Sequence, residues 1–404
     1  MTPKALEGVR VLELCSGIAG PYCTKLMADM GAEVIKIESP GAGDESRLLP
    51  PFRDDVPNAE GSGLFFYLNS NKLGVTLDIS RPQGTAVFAD LVKRADILMV
   101  DRPVSELEDS GLGYETLHGL NTGLIVATLT PYGESGPYRD YRARELNISH
   151  CSGQGYLLPI PSLDTNRAPV KPGGHMADCD GGLVAVLPIL AALFWKGSTG
   201  DGQLVEISRQ EALISMQRVE SVTFANDGVV IGRAGDGKGG MPGGMMACKD
   251  GYVVLVTPQE HQWRALIEMV GDPEWSSDGM CRDPISRSAN AATINQLLEK
   301  WMLQHTKEEI FRKGQALSCP VAPVYTAEDI AQSEQYRARD FFMELDHPEL
   351  GRFLFPSCAY RFSETPWALE RLAPRLGEHN EQILCGELGY RKQDLARLRQ
   401  SGTV

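Results

Sequence analysis

The sequence predicts an α/β protein built on an open, mostly parallel sheet. Short apolar runs alternate with helix-like stretches through the first 130 residues, and turn residues separate them. Strands that alternate with helices form a parallel sheet with helices on both faces. The chain has 404 residues, of which 42% are hydrophobic and 23% charged, so it can bury a large core.

The first half of the chain supplies most of the predicted sheet. A turn at residues 16–20 follows the first strand, Pro21 suits an early helical position, and helix signals continue to Met30, before Gly31 as a C-cap. A second helix begins at Pro82. The predicted strands are residues 9–14, 33–38, 75–79, 97–100 and 124–130.

The second half predicts a long helix, a further strand-and-helix block and a charged end. The long helix follows the Gly181-Gly182 pair, and its apolar run, 183–195, is expected to be buried. That run is shorter than a bilayer needs, so no membrane partner is expected. The block runs from about 252 to 325, strands and turns follow at 346–366, and a helix is predicted at 392–400.

Charge and cysteine usage limit the partners and the compartment. The formal net charge of −14 argues against nucleic acid, because such binding draws on Lys and Arg. The nine cysteines include no C-x-x-C pair, which is typical of free thiols in a reducing compartment. No signal-peptide pattern opens the sequence, so we expect a cytoplasmic protein.

The turn after the first strand carries part of a dinucleotide-binding pattern. Gly17 and Gly20 are three residues apart, and Glu38 ends the next strand, but the full G-x-G-x-x-G pattern is missing. An NAD-dependent oxidoreductase is therefore a weak alternative. The turn can equally receive another phosphate at the following helix N-terminus, or be a tight turn without a ligand.

Two acidic positions are candidates for chemistry. Asp178, with Asp180 beside it, precedes an apolar helix, where Asp acts either as an N-cap or as a reactive carboxylate. Glu145 follows Arg144 and is either a general base or half of a surface salt bridge.

A glycine-rich stretch and the dispersed histidines complete the survey of the residues. The stretch 235–244 contains six glycines and is either a mobile lid or a linker; Gly237, Gly239 and Gly240 are the lid and oxyanion candidates. The histidines form no metal-binding pattern, so no metal is expected.

Several stretches, taken together, resemble class III CoA-transferases of the formyl-CoA and carnitine type. The matching stretches are residues 31–38, 69–72, 130–138, 177–178, 199–203 and 376–379.

The resemblance implies an interlocked homodimer with a discontinuous, Rossmann-like large domain, residues 1–224 and 326–404, and a smaller α/β domain, residues 225–325. It assigns Asp178 as the nucleophile and Glu145 as an active-site acid. Coenzyme A is expected as a substrate, with no tightly bound cofactor. The expected CoA contacts are Ser16, Ile18, Lys72, Arg102 and Arg142.

The resemblance also implies the reaction. CoA moves from an acyl-CoA donor to a carboxylic acid acceptor through a mixed anhydride and an aspartyl-CoA thioester. An α-methylacyl-CoA racemase is the alternative with the same fold, but it needs a His-Asp pair where Arg144-Glu145 stands, and arginine is no base.

This chain also departs from the formyl-CoA transferase pattern. Lys238 interrupts the glycine run, and Ser39 stands where those enzymes have a basic residue. These departures argue against formyl-CoA and oxalate as the substrates, and the sequence names no other donor or acceptor. Residues 249–252 resemble the carnitine branch.

Overall fold

The computed structural model describes residues 3–159, 166–233 and 240–404. The chain divides into two compact units. The larger comprises Met1–Tyr156, Val170–Ile231 and Ala338–Val404, and the smaller comprises Leu157–Pro169 and Gly232–Arg337. The sequence-based division at 225 and 325 stays a prediction about independently folding domains.

A six-stranded sheet forms the centre of the larger unit. Its strand order is β3-β2-β1-β4-β5-β6, and every neighbouring pair is parallel. The predicted α/β class with a parallel sheet is confirmed. The strands are β1 (Arg10–Leu14), β2 (Glu33–Glu38), β3 (Lys72–Thr76), β4 (Ile97–Val100), β5 (Ile125–Thr130) and β6 (Leu204–Ser208).

Helices cover both faces of this sheet. The helices of the described residues are α1 (Ala19–Asp29), α2 (Gly63–Asn69), α3 (Pro82–Val92), α4 (Val104–Glu108), α5 (Tyr114–Leu120), α6 (Glu145–Cys151), α7 (Met176–Thr199), α8 (Arg209–Met216), α9 (Arg218–Asp227), α10 (Glu260–Met269), α11 (Pro284–Ala289), α12 (Ala291–Met302), α13 (Lys307–Ala316), α14 (Ala327–Gln332), α15 (Glu334–Ala338) and α16 (Lys392–Gln400). The predicted helix at 392–400 is confirmed.

Alternation along the strands divides the core in two. On β1, Leu12 and Leu14 join a cluster with α3, α5 and α16, whereas Val11 joins a cluster with α1 and α7. Successive side chains of a strand point to opposite faces, so one strand serves both layers. The uninterrupted apolar runs in the sequence follow from burial on both faces.

Helix α7 begins before the glycine pair, which corrects the prediction that it follows Gly181-Gly182. His175 is its N-cap, in the left-handed conformation, so the first turn contains Asp178, and Asp180 follows in the helix. A Cβ atom on Gly182 would lie 2.4 Å from the backbone oxygen of Ala19. Glycine therefore lets α7 pack closely against α1.

The expectation that the apolar run of α7 is buried is wrong for one face. Leu187 is 70% exposed and Phe194 85%, while Ala185 and Ile189 are in the core. Among the described residues α7 is the helix long and apolar enough, by length and composition alone, to cross a membrane. That is weak evidence, because a core helix passes the same test. The apolar run predicted at 183–195 is shorter than this helix because it leaves out the first and last turns of α7.

The smaller unit contains a three-stranded antiparallel sheet of order β7-β8-β9. Its strands are β7 (Gly243–Cys248), β8 (Gly251–Val256) and β9 (Val321–Val324). Residues of α10, α12 and α13 bury one face of the sheet. The predicted strands at 346–366 are an antiparallel hairpin in the larger unit, β10 (Phe342–His347) and β11 (Gly351–Pro356).

Candidate active site

A cleft lies at the carboxyl ends of the neighbouring strands β1 and β4. The strand order changes direction between these two strands, and such switch points form the usual ligand crevice of open parallel sheets. The cleft has a volume of about 710 Å³. Most of its residues follow β1, β4, β5 and β6 or begin α6 and α7. They include Ser16, Ile18, Asp101, Arg102, Arg142, Glu145, His175, Asp178 and Arg209.

Two acids, the half-buried Asp101 and the buried Asp44, hold the turn after β1. The N–H of Ser16 donates to Asp101 Oδ2 at 2.7 Å, and the N–H of Gly17 donates to Asp44 Oδ1 at 2.9 Å. Gly17 has a φ of +80°, a conformation that glycine adopts without strain. These bonds place the first turn of α1 at the cleft, where free N–H groups suit an anion.

Asp178 lies in the first turn of α7 and lines the cleft. It is the third helical residue, so the interpretation as an N-cap is wrong; His175 holds that position. Its side chain is 12% exposed. Asp180 is outside the residues that line the cleft, and it bonds to the side chain of Gln154.

Arg209 is the immediate partner of Asp178. Its Nη1 donates to Asp178 Oδ1 at 2.7 Å, and its Nη2 donates to the backbone oxygen of Ala143 at 3.5 Å. Burial raises the pKa of Asp178 above its usual value; the Arg209 charge opposes this rise, and the Glu145 charge adds to it. The guanidinium therefore favours the ionised, nucleophilic carboxylate in a poorly solvated position.

Glu145 opens α6 and is nearly buried, so the interpretation as an exposed salt bridge with a neighbouring arginine is wrong. Its Oε2 lies 2.9 Å from Lys171 Nζ and 3.5 Å from His175 Nδ1. Arg144 instead extends from the cleft to Glu45, with its Nη1 2.6 Å from that carboxylate. Both partners of that pair are exposed.

Glu145, His175 and Asp178 have ligand atoms within 4.8 Å of one another, a set that could hold a metal ion. Lys171 and Arg209 already bond to the two carboxylates. These two cations already neutralise the carboxylates, which disfavours a metal ion there; the expectation of no metal stays a prediction. The geometry suits a carboxylate nucleophile beside an imidazole and two cations.

Four of the five predicted CoA contacts line the cleft. Ser16 and Ile18 form its β1 side, and Arg102 follows β4, with its Nε 3.7 Å from Asp101 Oδ1. Arg142 is exposed at the rim, in the segment before α6. The structure brings these positions to Asp178; that they contact CoA stays a prediction.

Lys72 is the exception, and its predicted phosphate contact is wrong. The side chain is completely buried, and its Nζ donates to Glu13 Oε2 at 2.7 Å, to Asn69 Oδ1 at 2.9 Å and to the backbone oxygen of Pro21 at 2.9 Å. Burial lowers the pKa of Lys72, against the attraction of Glu13. With all three donors used inside the protein, none is left for a ligand.

The predicted lid falls mostly outside the described residues. Gly237 and Gly239 lie in the segment 234–239, of which the structure describes nothing. Gly240 is described and exposed, and belongs to the smaller unit. The lid and oxyanion roles of these glycines stay predictions.

The sequence analysis missed Arg209, Lys171 and the buried acid Asp44. Arg209 directly follows β6, and residues after parallel strands meet at one edge of the sheet. Placing β6 from its alternating residues Leu204 to Ser208 could have identified Arg209. No local pattern indicates Lys171, which lies far from any strand end.

The fold and the cleft are those of an α/β enzyme with a candidate ligand site at the switch point of a parallel sheet. A model of CoA-transferase family III matches residues 6–380. A formyl-CoA:oxalate CoA-transferase of Bradyrhizobium sp. (strain ORS 278) is 32% identical, with 99% of this chain and 97% of that protein aligned. One from Rhodopseudomonas palustris (strain BisB18) is 31% identical, with the same shares aligned.

Solved structures of similar fold point to the same family. A CAIB/BAIF family protein from Brucella suis superposes with a TM-score of 0.83 and 26% identity, covering 96% of this chain and 100% of that one. Rv3272 from Mycobacterium tuberculosis gives 0.80 and 25%, covering 95% and 100%. This chain belongs to CoA-transferase family III. It is a CoA-transferase, acting on CoA thioesters and carboxylic acids.

Proposed function

We propose that this enzyme moves CoA from an acyl-CoA donor to a carboxylic acid through a covalent intermediate on Asp178. The observation that carries the proposal is the Asp178 carboxylate itself, which is little exposed, lines the cleft at the β1–β4 switch point and is paired with Arg209. A carboxylate reacts poorly with a thioester in water because it is strongly solvated; a largely desolvated one needs less reorganisation to attack.

The bonds change in four steps. An Asp178 oxygen attacks the acyl carbon, the C–S bond breaks, and a mixed anhydride and CoA thiolate form. The thiolate attacks the Asp178 carbonyl carbon, which gives aspartyl-CoA and releases the donor acid as a carboxylate. The acceptor carboxylate then displaces CoA thiolate to form a second anhydride. The thiolate finally attacks the acceptor carbonyl, and the Asp178 carboxylate is restored.

Other cleft residues have supporting roles in this proposal. Ser16 and Ile18 lie at the turn that receives CoA, while Arg102 and Arg142 supply positive charge for its phosphates. Glu145, held by Lys171, positions the acyl group and does not attack. The glycines at 237, 239 and 240 are proposed to close over the site and exclude water.

Peptide mass spectrometry after incubation with acyl-CoAs and hydroxylamine tests the covalent step. The panel includes formyl-CoA, because the relatives above are formyl-CoA:oxalate CoA-transferases, although the lid and Ser39 differ from that pattern. Hydroxylamine captures an activated aspartate as a hydroxamate, so a mass gain on the Asp178 peptide is expected. CoA binding with no modification by any donor would contradict the proposal.

A second candidate, the racemase-like epimerisation of an acyl-CoA, has one observation in its favour. His175 lies in the cleft with its Nδ1 3.5 Å from Glu145, so an imidazole is present even though Arg144 is not a base. Such an enzyme would exchange the proton on the carbon next to the thioester. Deuterium uptake there from D₂O, without hydroxamate on Asp178, would favour this activity.

We also propose that the enzyme is a cytoplasmic homodimer. All nine cysteines lie in the described residues as free thiols, as expected in a reducing compartment. Helices α7 and α9 carry large apolar side chains that the described part of the chain leaves exposed, together called the α7–α9 face here. A second copy is their proposed partner. The exposed members of this face are Leu183, Leu187, Phe194, Trp195, Val219, Val222 and Phe224.

A further inference from the structure

Arg209 has unused hydrogen-bonding capacity at the floor of the cleft. Among the described residues, Asp178 is its ion-pair partner, and its buried Nε has no hydrogen-bond partner. A guanidinium carries five N–H donors in one plane and can hold a carboxylate through two parallel bonds. An unsatisfied buried donor is costly, so the site favours a ligand with acceptor oxygens.

The proposed reaction removes the charge that neutralises Arg209. Once the thiolate has formed its C–S bond to the Asp178 carbonyl carbon, Asp178 is a neutral thioester. It stays neutral through the second anhydride and regains its charge only when the thiolate attacks the acceptor carbonyl. Through this interval Arg209, whose side chain is only 14% exposed, has lost its anionic partner. An uncompensated charge in a poorly solvated position is strongly unfavourable.

Three other acids that line the cleft are already engaged. Glu145 bonds to Lys171 and His175, and Glu45 bonds to Arg144 at the exposed end of the cleft. Asp101 accepts the N–H of Ser16. The anion present at the right step is therefore the reacting acid, as leaving donor carboxylate or as entering acceptor carboxylate.

We propose that Arg209 is the docking residue for the carboxylate of the reacting acid while Asp178 is a thioester. This inference rests on the proposed covalent function and adds which group binds the acid, and when. In the free enzyme the Asp178 carboxylate is bonded to the Arg209 guanidinium and repels a second carboxylate. In aspartyl-CoA the guanidinium is released, so the acid binds only when it can react. Binding order is thus set by the charge of the nucleophile.

Isotope exchange between an acyl-CoA and its own labelled acid tests this, because donor and acceptor are then the same acid. Formyl-CoA with [¹⁴C]formate and acetyl-CoA with [¹⁴C]acetate are the first pairs. Aspartyl-CoA is formed on the full-length enzyme, separated from the released acid, and mixed with increasing labelled acid in single turnovers. The readouts are the half-saturating acid concentration and the maximal rate.

For Arg209→Gln we expect the half-saturating acid concentration to rise about 10- to 100-fold, as for loss of a hydrogen bond to a charged group, with a smaller change in maximal rate. Arg209→Lys keeps the charge but loses the fork, so a several-fold rise is expected. Arg397→Gln is the matched control, because it removes the same charge at an exposed position on α16. It should match the wild type.

An unchanged half-saturating concentration with a lower maximal rate in Arg209→Gln would overturn the proposal, because Arg209 would then only position Asp178. If Arg209→Gln does not fold, as judged by its thermal melt, Arg209→Lys decides by the same criterion. If the wild-type enzyme forms aspartyl-CoA from none of the donors tested, the proposed function itself is refuted. The two failures are therefore distinguishable.

Discussion

Nη1 of Arg209 lies 2.7 Å from Oδ1 of Asp178, at the floor of a cleft between the ends of two parallel strands. The pair joins the first turn of α7 to the residue that follows β6. Burial opposes the ionised form of the carboxylate, and the guanidinium favours it. The contact thus favours the ionised carboxylate that the proposed reaction requires.

Asp178→Asn should abolish CoA transfer while leaving CoA bound. The amide is close to the carboxylate in size but is a far weaker nucleophile, so no anhydride forms. Turnover, hydroxamate capture at residue 178 and calorimetric titration with CoA measure the three parts. Asp180→Asn is the matched control, because Asp180 does not line the cleft; it should retain most activity. Full turnover in Asp178→Asn would refute the nucleophile assignment.

Arg209→Gln should move the acidic limb of the pH profile of kcat/KM to higher pH. The Arg209 charge lowers the pKa of Asp178, so its loss lets burial and Glu145 raise that pKa further. The ionised carboxylate then persists only at higher pH, and activity on the acidic side falls first. Arg209→Lys should move the limb less. A limb that stays in place in Arg209→Gln would show that another group controls it.

Gly182→Ala should destabilise the protein, whereas Gly197→Ala on the same helix should not. At position 182 the new Cβ meets the backbone oxygen of Ala19 at 2.4 Å, and backbone must shift; overpacking of this kind costs about 1–3 kcal/mol. At position 197 no heavy atom lies within 4 Å, so the helix propensity of alanine should stabilise by about 0.5–1 kcal/mol. Denaturant unfolding distinguishes the two, and equal effects would contradict the close packing of α7 on α1.

Lys72→Met should lower stability and leave the cleft's own charges unchanged. Glu13 bonds to both Lys72 and Lys36 in full burial, and breaking a buried pair costs about 3–5 kcal/mol. Lys93→Met is the control, because its pair with Asp90 is exposed and a surface change stays within about 0.5 kcal/mol. Urea unfolding gives both values. If Lys72→Met is as stable as the wild type but binds CoA more weakly, Lys72 contacts a CoA phosphate after all.

Phe194→Asp should convert the proposed dimer to monomers. Phe194 is a member of the α7–α9 face, and a carboxylate there would be desolvated on association without a partner charge. Light scattering after size exclusion measures the mass. Ile285→Asp is the control, since Ile285 is as exposed but lies in the smaller unit. A wild-type monomer, or a Phe194→Asp dimer as tight as wild type, would exclude this surface as the interface.

The sequence by itself determined the elements and the class of fold. The strands at 33–38 and 97–100 and the helix at 392–400 are at their predicted positions. The strands are recognisable because a strand buried on both faces has a nearly continuous apolar sequence. The first strand and the strand at Ile125–Thr130 are one residue shorter than predicted, and the third begins three residues earlier. The candidate acids Asp178 and Glu145 also came from the sequence, and the family resemblance gave their expected roles.

Tertiary structure alone decided which charged side chains face the cleft. Nothing in the sequence distinguishes Lys72 from Arg209 as a possible ligand contact. In the structure, Lys72 is paired with the buried Glu13, whereas Arg209 lies in the cleft against Asp178. The start of α7 at Met176 and the exposed α7–α9 face were also decided there. The physical reason is that a side chain's burial and partners depend on residues distant in the chain, which local periodicity does not record.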